Sequence, residues 1–262
     1  MGALRQLTPT LYVVAALAFI FLPVVLLVLF SFQDGILPVP PFKGFSLRWY
    51  ARVIDNHRLM AALGNSVVVA LLSGLTATTL GFLAAYGLAR RRPRFAGAAQ
   101  YLLMAPITVS YLIIGMGLLI TFNLLGVPKS LWAVGIGHVV INLPLCFAIV
   151  YSQLGEHQAN AERAAQDLGA SDLKVMVLIA VPMLWPALLA AFVLAATLSW
   201  DEFVIAFLLS RFDITLPVII WSMLRSGLSP ELNAAGTIVF AISFALIVVV
   251  ELLLLRQRRR DG

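Results

Sequence analysis

Residues 11–32 read LYVVAALAFIFLPVVLLVLFSF. The run carries no charge and matches the roughly 20 apolar residues that a helix needs to cross the hydrocarbon of a bilayer. It is longer than the apolar core of a cleavable signal peptide, and no small-residue cleavage pattern follows it. It is therefore expected to be a retained transmembrane helix. The rest of the chain repeats the pattern. Of 262 residues, 61% are hydrophobic and 11% charged, against about 25% charged in a soluble domain. A water-soluble fold could not cover so much apolar surface with so few polar side chains. Lipid must be the solvent for most of it, and the length allows about six or seven spans.

Working outward, further apolar runs cover 63–88, 98–122, 131–152, 175–202 and 234–255. The second ends at Arg90-Arg91-Arg92-Pro93-Arg94, the fifth passes Pro182 and Pro186, and the last ends at Arg256-Gln257-Arg258-Arg259-Arg260. The fold class is all-α: a polytopic membrane protein of six transmembrane helices, with a polar stretch, 153–174, between the fourth and fifth. Basic residues beside short loops stay in the cytoplasm. With the N-terminus inside, most of the 18 Lys and Arg residues fall on the cytoplasmic side, including both arginine clusters. Residues 1–60 then form the first helix and a periplasmic loop, and 256–262 a basic cytoplasmic tail. The net charge of +6 is accounted for by arginines beside anionic lipid, with no nucleic acid required.

Small residues recur every fourth position at Ala77, Gly81 and Ala85, and at Ala187, Ala191 and Ala195. In lipid such stripes let helix backbones approach closely. They indicate a packed bundle and say nothing about function. The chain contains no phosphate loop and no dinucleotide fingerprint. His57, His138 and His157 are scattered, and the one cysteine, Cys146, makes neither a metal cluster nor an intrachain disulfide. No catalytic residues, metal or cofactor are expected, so any ATP that powers the protein must be hydrolysed by another chain.

The polar stretch is more informative. Ala161, Ala164, Ala165 and Leu168 lie at i, i+3, i+4 and i+7, the spacing of one face of a helix. Glu162, Arg163, Gln166 and Asp167 take the other face. Asn160 is the candidate N-cap, Gly169 the candidate left-handed residue after the helix, and Ser171 the candidate cap of the next one. A helix lying on lipid is disfavoured, since three alanines and one leucine offer little area to insert. Two readings stay open: a connecting loop, or a helix whose alanine face fits a groove on a soluble partner.

The sequence here resembles the permeases of binding-protein-dependent ABC importers. That family carries Glu-Ala-Ala, three residues, Gly, nine residues, then Ile-x-Leu-Pro. This chain has Arg163-Ala164-Ala165, Gly169, Ile179, Val181 and Pro182 at those spacings. Arg163 stands at the glutamate position and Val181 at the leucine position. Leu198-Ser199-Trp200-Asp201-Glu202-Phe203, Thr215-Leu216-Pro217 and Ser229-Pro230-Glu231-Leu232-Asn233-Ala234 look like the spermidine/putrescine branch. The resemblance implies a type I transmembrane domain over 61–255, in the cytoplasmic (inner) membrane of a bacterium. It implies a second permease subunit, a pair of ATPase subunits and a periplasmic solute-binding protein. Ala161, Glu162, Arg163, Ala164, Ala165, Leu168 and Gly169 would form the coupling helix seated on an ATPase, and the solute would be a polyamine or another small organic molecule.

Asp201 and Glu202 are adjacent at the outer end of the fifth span. A carboxylate at bilayer depth needs protein, water or a cation, so the pair either lines a route for a cationic amine or is solvated among headgroups. His138 and Asn142 share a face of the fourth span and either line the same route or make interhelical hydrogen bonds. A secondary transporter or channel is disfavoured by the alanine–glycine element and by the lack of an evident internal repeat. A membrane-embedded enzyme is disfavoured by the missing catalytic cluster. Reporter fusions are expected to place both termini in the cytoplasm; a periplasmic C-terminus would overturn the topology.

Overall fold

An uncharged run in lipid must satisfy its backbone internally, and a single chain segment does this as a helix. The computed structural model describes residues 2–91 and 93–258, with side chains for 10–91, 93–245 and 248. Its elements are α1 (Gly2–Ser31), α2 (Arg48–Asp55), α3 (His57–Arg91), α4 (Ala96–Met104), a 3-10 turn (Ala105–Thr108), α5 (Tyr111–Leu124) and α6 (Leu131–Gln153). There follow α7 (Glu156–Asp167), α8 (Asp172–Val175), a π-helical segment (Met176–Ala180), α9 (Val181–Asp201), α10 (Val204–Leu209), α11 (Leu216–Ser226) and α12 (Pro230–Arg258). Among the described residues β pairing is limited to one isolated bridge, between Gln33 and Phe45.

Four helices are long and apolar enough to cross a membrane: Thr10–Ser31, His57–Arg91, Leu131–Gln153 and Asp172–Asp201. They coincide with the first, second, fourth and fifth expected spans. The expected third span is not one rod. Its halves, Ala96–Thr108 and Tyr111–Leu124, meet at 106°. Pro106 lacks an amide hydrogen and sits at the start of the 3-10 turn; Val109 is extended, and the Ser110 hydroxyl accepts from Leu112 N to begin a new helix. Four spans become five if that bent pair is one span. The sixth expected span lies on α12, whose contiguous described side chains end at Ala245. In the basic tail, Arg259 to Gly262 lie outside the described residues, as does Arg92.

Pro182 explains a second irregularity. It cannot donate to the carbonyl a turn earlier, and the preceding turn widens into the π segment before α9 continues.

The chain divides into two compact units, residues 2–60 with 220–249, and 61–219 with 250–258. In the first, α1 leaves Tyr12, Phe19 and Ile20 uncovered, as a lipid-facing helix would. The loop after it is pinned: Trp49 Nε1 donates to the Gln33 carbonyl (2.8 Å) and Ser31 Oγ pairs with the Tyr50 hydroxyl (2.6 Å).

In the second unit the core is a seam of α3, α6 and α9, with Ala77, Phe82, Ala85, Phe147, Val150, Leu184, Ala191 and Ala195 buried. The small-residue stripes of α3 and α9 therefore face this seam, which excludes lipid along them. At Gly81 an added Cβ would lie 2.8 Å from Phe147 N and 2.9 Å from Cys146 Cβ. Backbone meets backbone there, so there is no side chain to move aside. Cys146 is free and buried against the Ala191 carbonyl (3.8 Å). Gly81→Ala is expected to cost about 1–3 kcal/mol by overpacking, read as a lower unfolding temperature in detergent. Gly64→Ala, whose Cβ would meet nothing within 4 Å, is expected to leave that temperature unchanged or slightly raised, since alanine is the better helix former.

Candidate functional site

The polar helix α7 starts at Glu156, with Gly155 as its N-cap, five residues before the expected start. Asn160 therefore lies inside the helix. Gly155 interrupts the preceding helix, and Glu156 places a negative charge in the first turn, where the helix dipole favours it. The far end follows the expected corner. Gly169 has φ +89°, Gly169 N donates to the Gln166 carbonyl (2.8 Å), and Ala170 N donates to the Ala165 carbonyl (3.0 Å). These are the two bonds of a Schellman motif. Ser171 is the N-cap of α8 through its backbone, its carbonyl accepting from Val175 N (2.9 Å), without a side-chain cap. Gln166 Nε2 ties the corner to Asp172 Oδ1 (3.2 Å).

The faces of α7 differ from expectation: the alanine stripe is split, with Ala161 and Ala165 half-buried and Ala164 and Leu168 exposed beside Arg163 and Asp167. Glu162, read from the sequence as outward, is turned inward and is 4% exposed. Arg90 holds it in a two-pronged pair, Nε to Oε2 at 2.7 Å and Nη2 to Oε1 at 2.8 Å, and the Tyr86 hydroxyl donates to Oε2 at 3.1 Å. A buried carboxylate is tolerable only with such partners. Ala161 and Ala165 flank it, half-buried. The uncovered side of its second half consists of Arg163, Ala164, Gln166, Asp167 and Leu168, the last 91% exposed. Arg163 Nη1 donates to Asn160 Oδ1 (3.4 Å), so the residue at the family's glutamate position points outward as a cation. Arg90 and Tyr86 were missed as site residues. Their i, i+4 spacing at the end of a span placed them on one face, but nothing local indicated an acidic partner.

The second constellation surrounds the adjacent acids, and the structure separates them. Asp201 ends α9 and is exposed, while Glu202 is 6% exposed. The Glu202 carboxylate caps α10: Oε1 accepts from Val204 N (2.9 Å) and Ile205 N (3.1 Å), Oε2 from Ile205 N (3.0 Å) and Ala206 N (3.2 Å). The unpaired amides at a helix start satisfy a negative charge well. His138 Nε2 lies 3.2 Å from Oε2, off the line of a good hydrogen bond. His138 Nδ1 pairs with Ser199 Oγ (2.6 Å), which pairs with Ser73 Oγ (2.9 Å). Ser73, Ser199 and the His138 ring thus form one hydrogen-bonded chain across α3, α9 and α6, its donors following from the imidazole tautomer.

His138 and Glu202 are thus brought together, and His138 makes an interhelical bond to Ser199. Asn142, one turn along α6, is 1% exposed, and neither its amide nitrogen nor its oxygen has a partner among the described residues. Ser73 and Ser199 were not among the expected site residues. Ser199 lies three residues before Glu202, and that spacing was the available signal.

Several helices long and apolar enough to cross a membrane, joined by the polar helix α7, define a multi-pass membrane protein. The chain belongs to the family of binding-protein-dependent transport system inner membrane components, whose model matches residues 77–260. It is 30% identical over 257 residues to the spermidine/putrescine transport system permease protein PotC of Shigella flexneri, covering 96% of this chain and 95% of that one. It is 34% identical over 242 residues to the putrescine transport system permease protein PotI of Escherichia coli (strain K12), covering 88% and 86%. Its fold matches a chain of a bacterial ABC transporter involved in the import of the acidic polysaccharide alginate, with TM-score 0.73 at 16% identity over 97% and 96% of the two chains. The protein is a multi-pass inner-membrane permease component.

The two acids predict opposite results in purified protein. Glu202→Gln is expected to lower stability in detergent by about 1.5–3 kcal/mol, the usual worth of hydrogen bonds to a charged group. Asp201→Asn is expected to leave it within about 0.5 kcal/mol. Equal effects would contradict the division of roles.

Proposed function

We propose that this chain is one of two permease subunits of an ABC importer, forming the path for a polyamine delivered by a periplasmic binding protein. ATP hydrolysis in a partner ATPase pair drives it. The chain crosses the membrane six times with both termini cytoplasmic, and α7 is the coupling helix. The observation that carries the reading is the uncovered face of α7, with Leu168 at 91% exposure on a helix bounded by Gly155 and the Gly169 corner. An apolar side chain so exposed on a polar, non-spanning helix suits a docking surface.

The pairing runs through the ATPase groove. Ala164 and Leu168 supply close apolar contact, and Arg163 and Asp167 supply opposite charges that fix orientation. Gly169 keeps the corner tight, so that force on α7 reaches α8 and α9. In the path, Asp201 offers an exposed carboxylate to an ammonium group, worth about 4 kcal/mol of Coulomb attraction at 4 Å and an effective dielectric near 20. Partial desolvation offsets much of it. Asn142 has no partner for either amide atom among the described residues, which leaves both available to solute or water when the helices part. Glu202 and His138 shape the wall beside Asp201 by holding the start of α10.

The test is co-expression with the ATPase and binding-protein chains. The chain is expected to co-purify with the ATPase, and cells to accumulate labelled spermidine or putrescine. Ala164→Glu, on an exposed position that the fold tolerates, and Gly169→Val, strained in a left-handed corner, are expected to abolish uptake without loss of membrane insertion. Asp201→Asn is expected to slow uptake about tenfold, or about 1.4 kcal/mol. Failure to capture the ATPase would overturn the permease reading; an assembled, ATP-hydrolysing complex that imports neither polyamine would overturn the substrate.

A further inference from the structure

From the geometry of α7 we infer that Arg90, with Tyr86, is the positioning residue that fastens the coupling helix to α3, so that the two move as one body during transport. The inference rests on the importer reading and adds to it the connection by which docking is felt inside the bundle. The helix itself has few means of holding its place. It has twelve residues, mostly polar, with Gly155 at one end and the Gly169 corner at the other. Within it Glu162 is the one fully buried side chain, and that side chain is committed to Arg90 and Tyr86.

The fastening is strong for its size. The guanidinium meets the carboxylate with two bonds of 2.7 and 2.8 Å, both groups are largely shielded, with side-chain exposures of 19% and 5%, and the tyrosine hydroxyl takes a third position. Such forked, charge-assisted pairs fix direction as well as distance. Arg90 lies in the last turn of α3, where a cation also suits the helix dipole. From there α3 runs unbroken past Gly81, in backbone contact with α6, to Ser73, whose hydroxyl bonds Ser199 beside His138 and Glu202. Ser73 and Arg90 are about 25 Å apart along the helix axis. A displacement of α7 is thereby delivered to the polar cluster through one rigid element.

The test uses the full importer in membranes and reads solute imported per ATP hydrolysed, with ATPase retention scored separately. Glu162→Gln and Arg90→Gln are expected to keep the ATPase bound and hydrolysing while import per ATP falls about tenfold. The exchanged pair, Arg90→Glu with Glu162→Arg, is expected to recover most of the loss. A stability defect alone would lower import and hydrolysis together and leave their ratio unchanged. Wild-type ratios in the single variants, loss of the bound ATPase, or no recovery in the exchanged pair would each overturn the inference. If the charge variants do not reach the membrane, Arg90→Lys and Tyr86→Phe carry the test. A loss of about threefold in import per ATP supports the inference, and an unchanged ratio overturns it. A wild-type complex that binds no ATPase would instead defeat the importer reading.

Discussion

Helices in lipid gain little by hiding apolar side chains from one another, because the solvent is as apolar as they are. The second unit is therefore held by the closeness of α3, α6 and α9. Gly81 lets α3 reach the backbone at Cys146 and Phe147, and an added Cβ at Gly74 would lie 3.1 Å from Ala196 N. At that separation dispersion contacts are dense and polar groups on facing helices come within bonding range. Ser73 can reach Ser199 because the residues one and two turns after it on α3, Ala77 and Gly81, and one and two turns before Ser199 on α9, Ala195 and Ala191, are small. The polar cluster depends on the seam.

Two buried carboxylates lie against this frame and are satisfied in different ways. Glu202 is neutralised by local backbone, three amides at the start of α10, with His138 alongside. Glu162 is neutralised by a side chain remote in sequence, Arg90. The first arrangement holds a corner at the end of α9. The second joins the polar helix α7 to the apolar helix α3. Asp201, exposed beside the first, is left with its charge available.

The sequence made the class and most spans legible because length and lack of charge are local properties, sufficient to place 11–32, 63–88, 131–152 and 175–202 on helices. The Gly169 corner was legible for the same reason: a left-handed residue after an amphipathic run is written in adjacent positions. The break in the third span was less so, although Pro106 and Ser110 were the signal, because hydropathy continues smoothly across it. The orientation of Glu162 was not legible. Helical periodicity assigned it to the charged face, and only a partner 72 residues away turns it inward. Likewise the adjacency of Asp201 and Glu202 suggested one shared role, whereas the helix ends between them and sends their side chains to different surroundings. Nor does local pattern indicate that residues 220–249 form a compact unit with 2–60.

Proteoliposomes show whether this chain moves a polyamine with energy supplied by ATP hydrolysed on another subunit. Vesicles holding the permease pair and ATPase would receive loaded binding protein outside, with ATP sealed inside on the ATPase-bearing face. Labelled spermidine or putrescine is expected to accumulate only with enclosed ATP, and to do so still when ionophores collapse proton and sodium gradients. Accumulation that proceeds without ATP, or that vanishes with the ion gradients, would contradict ATP-driven import.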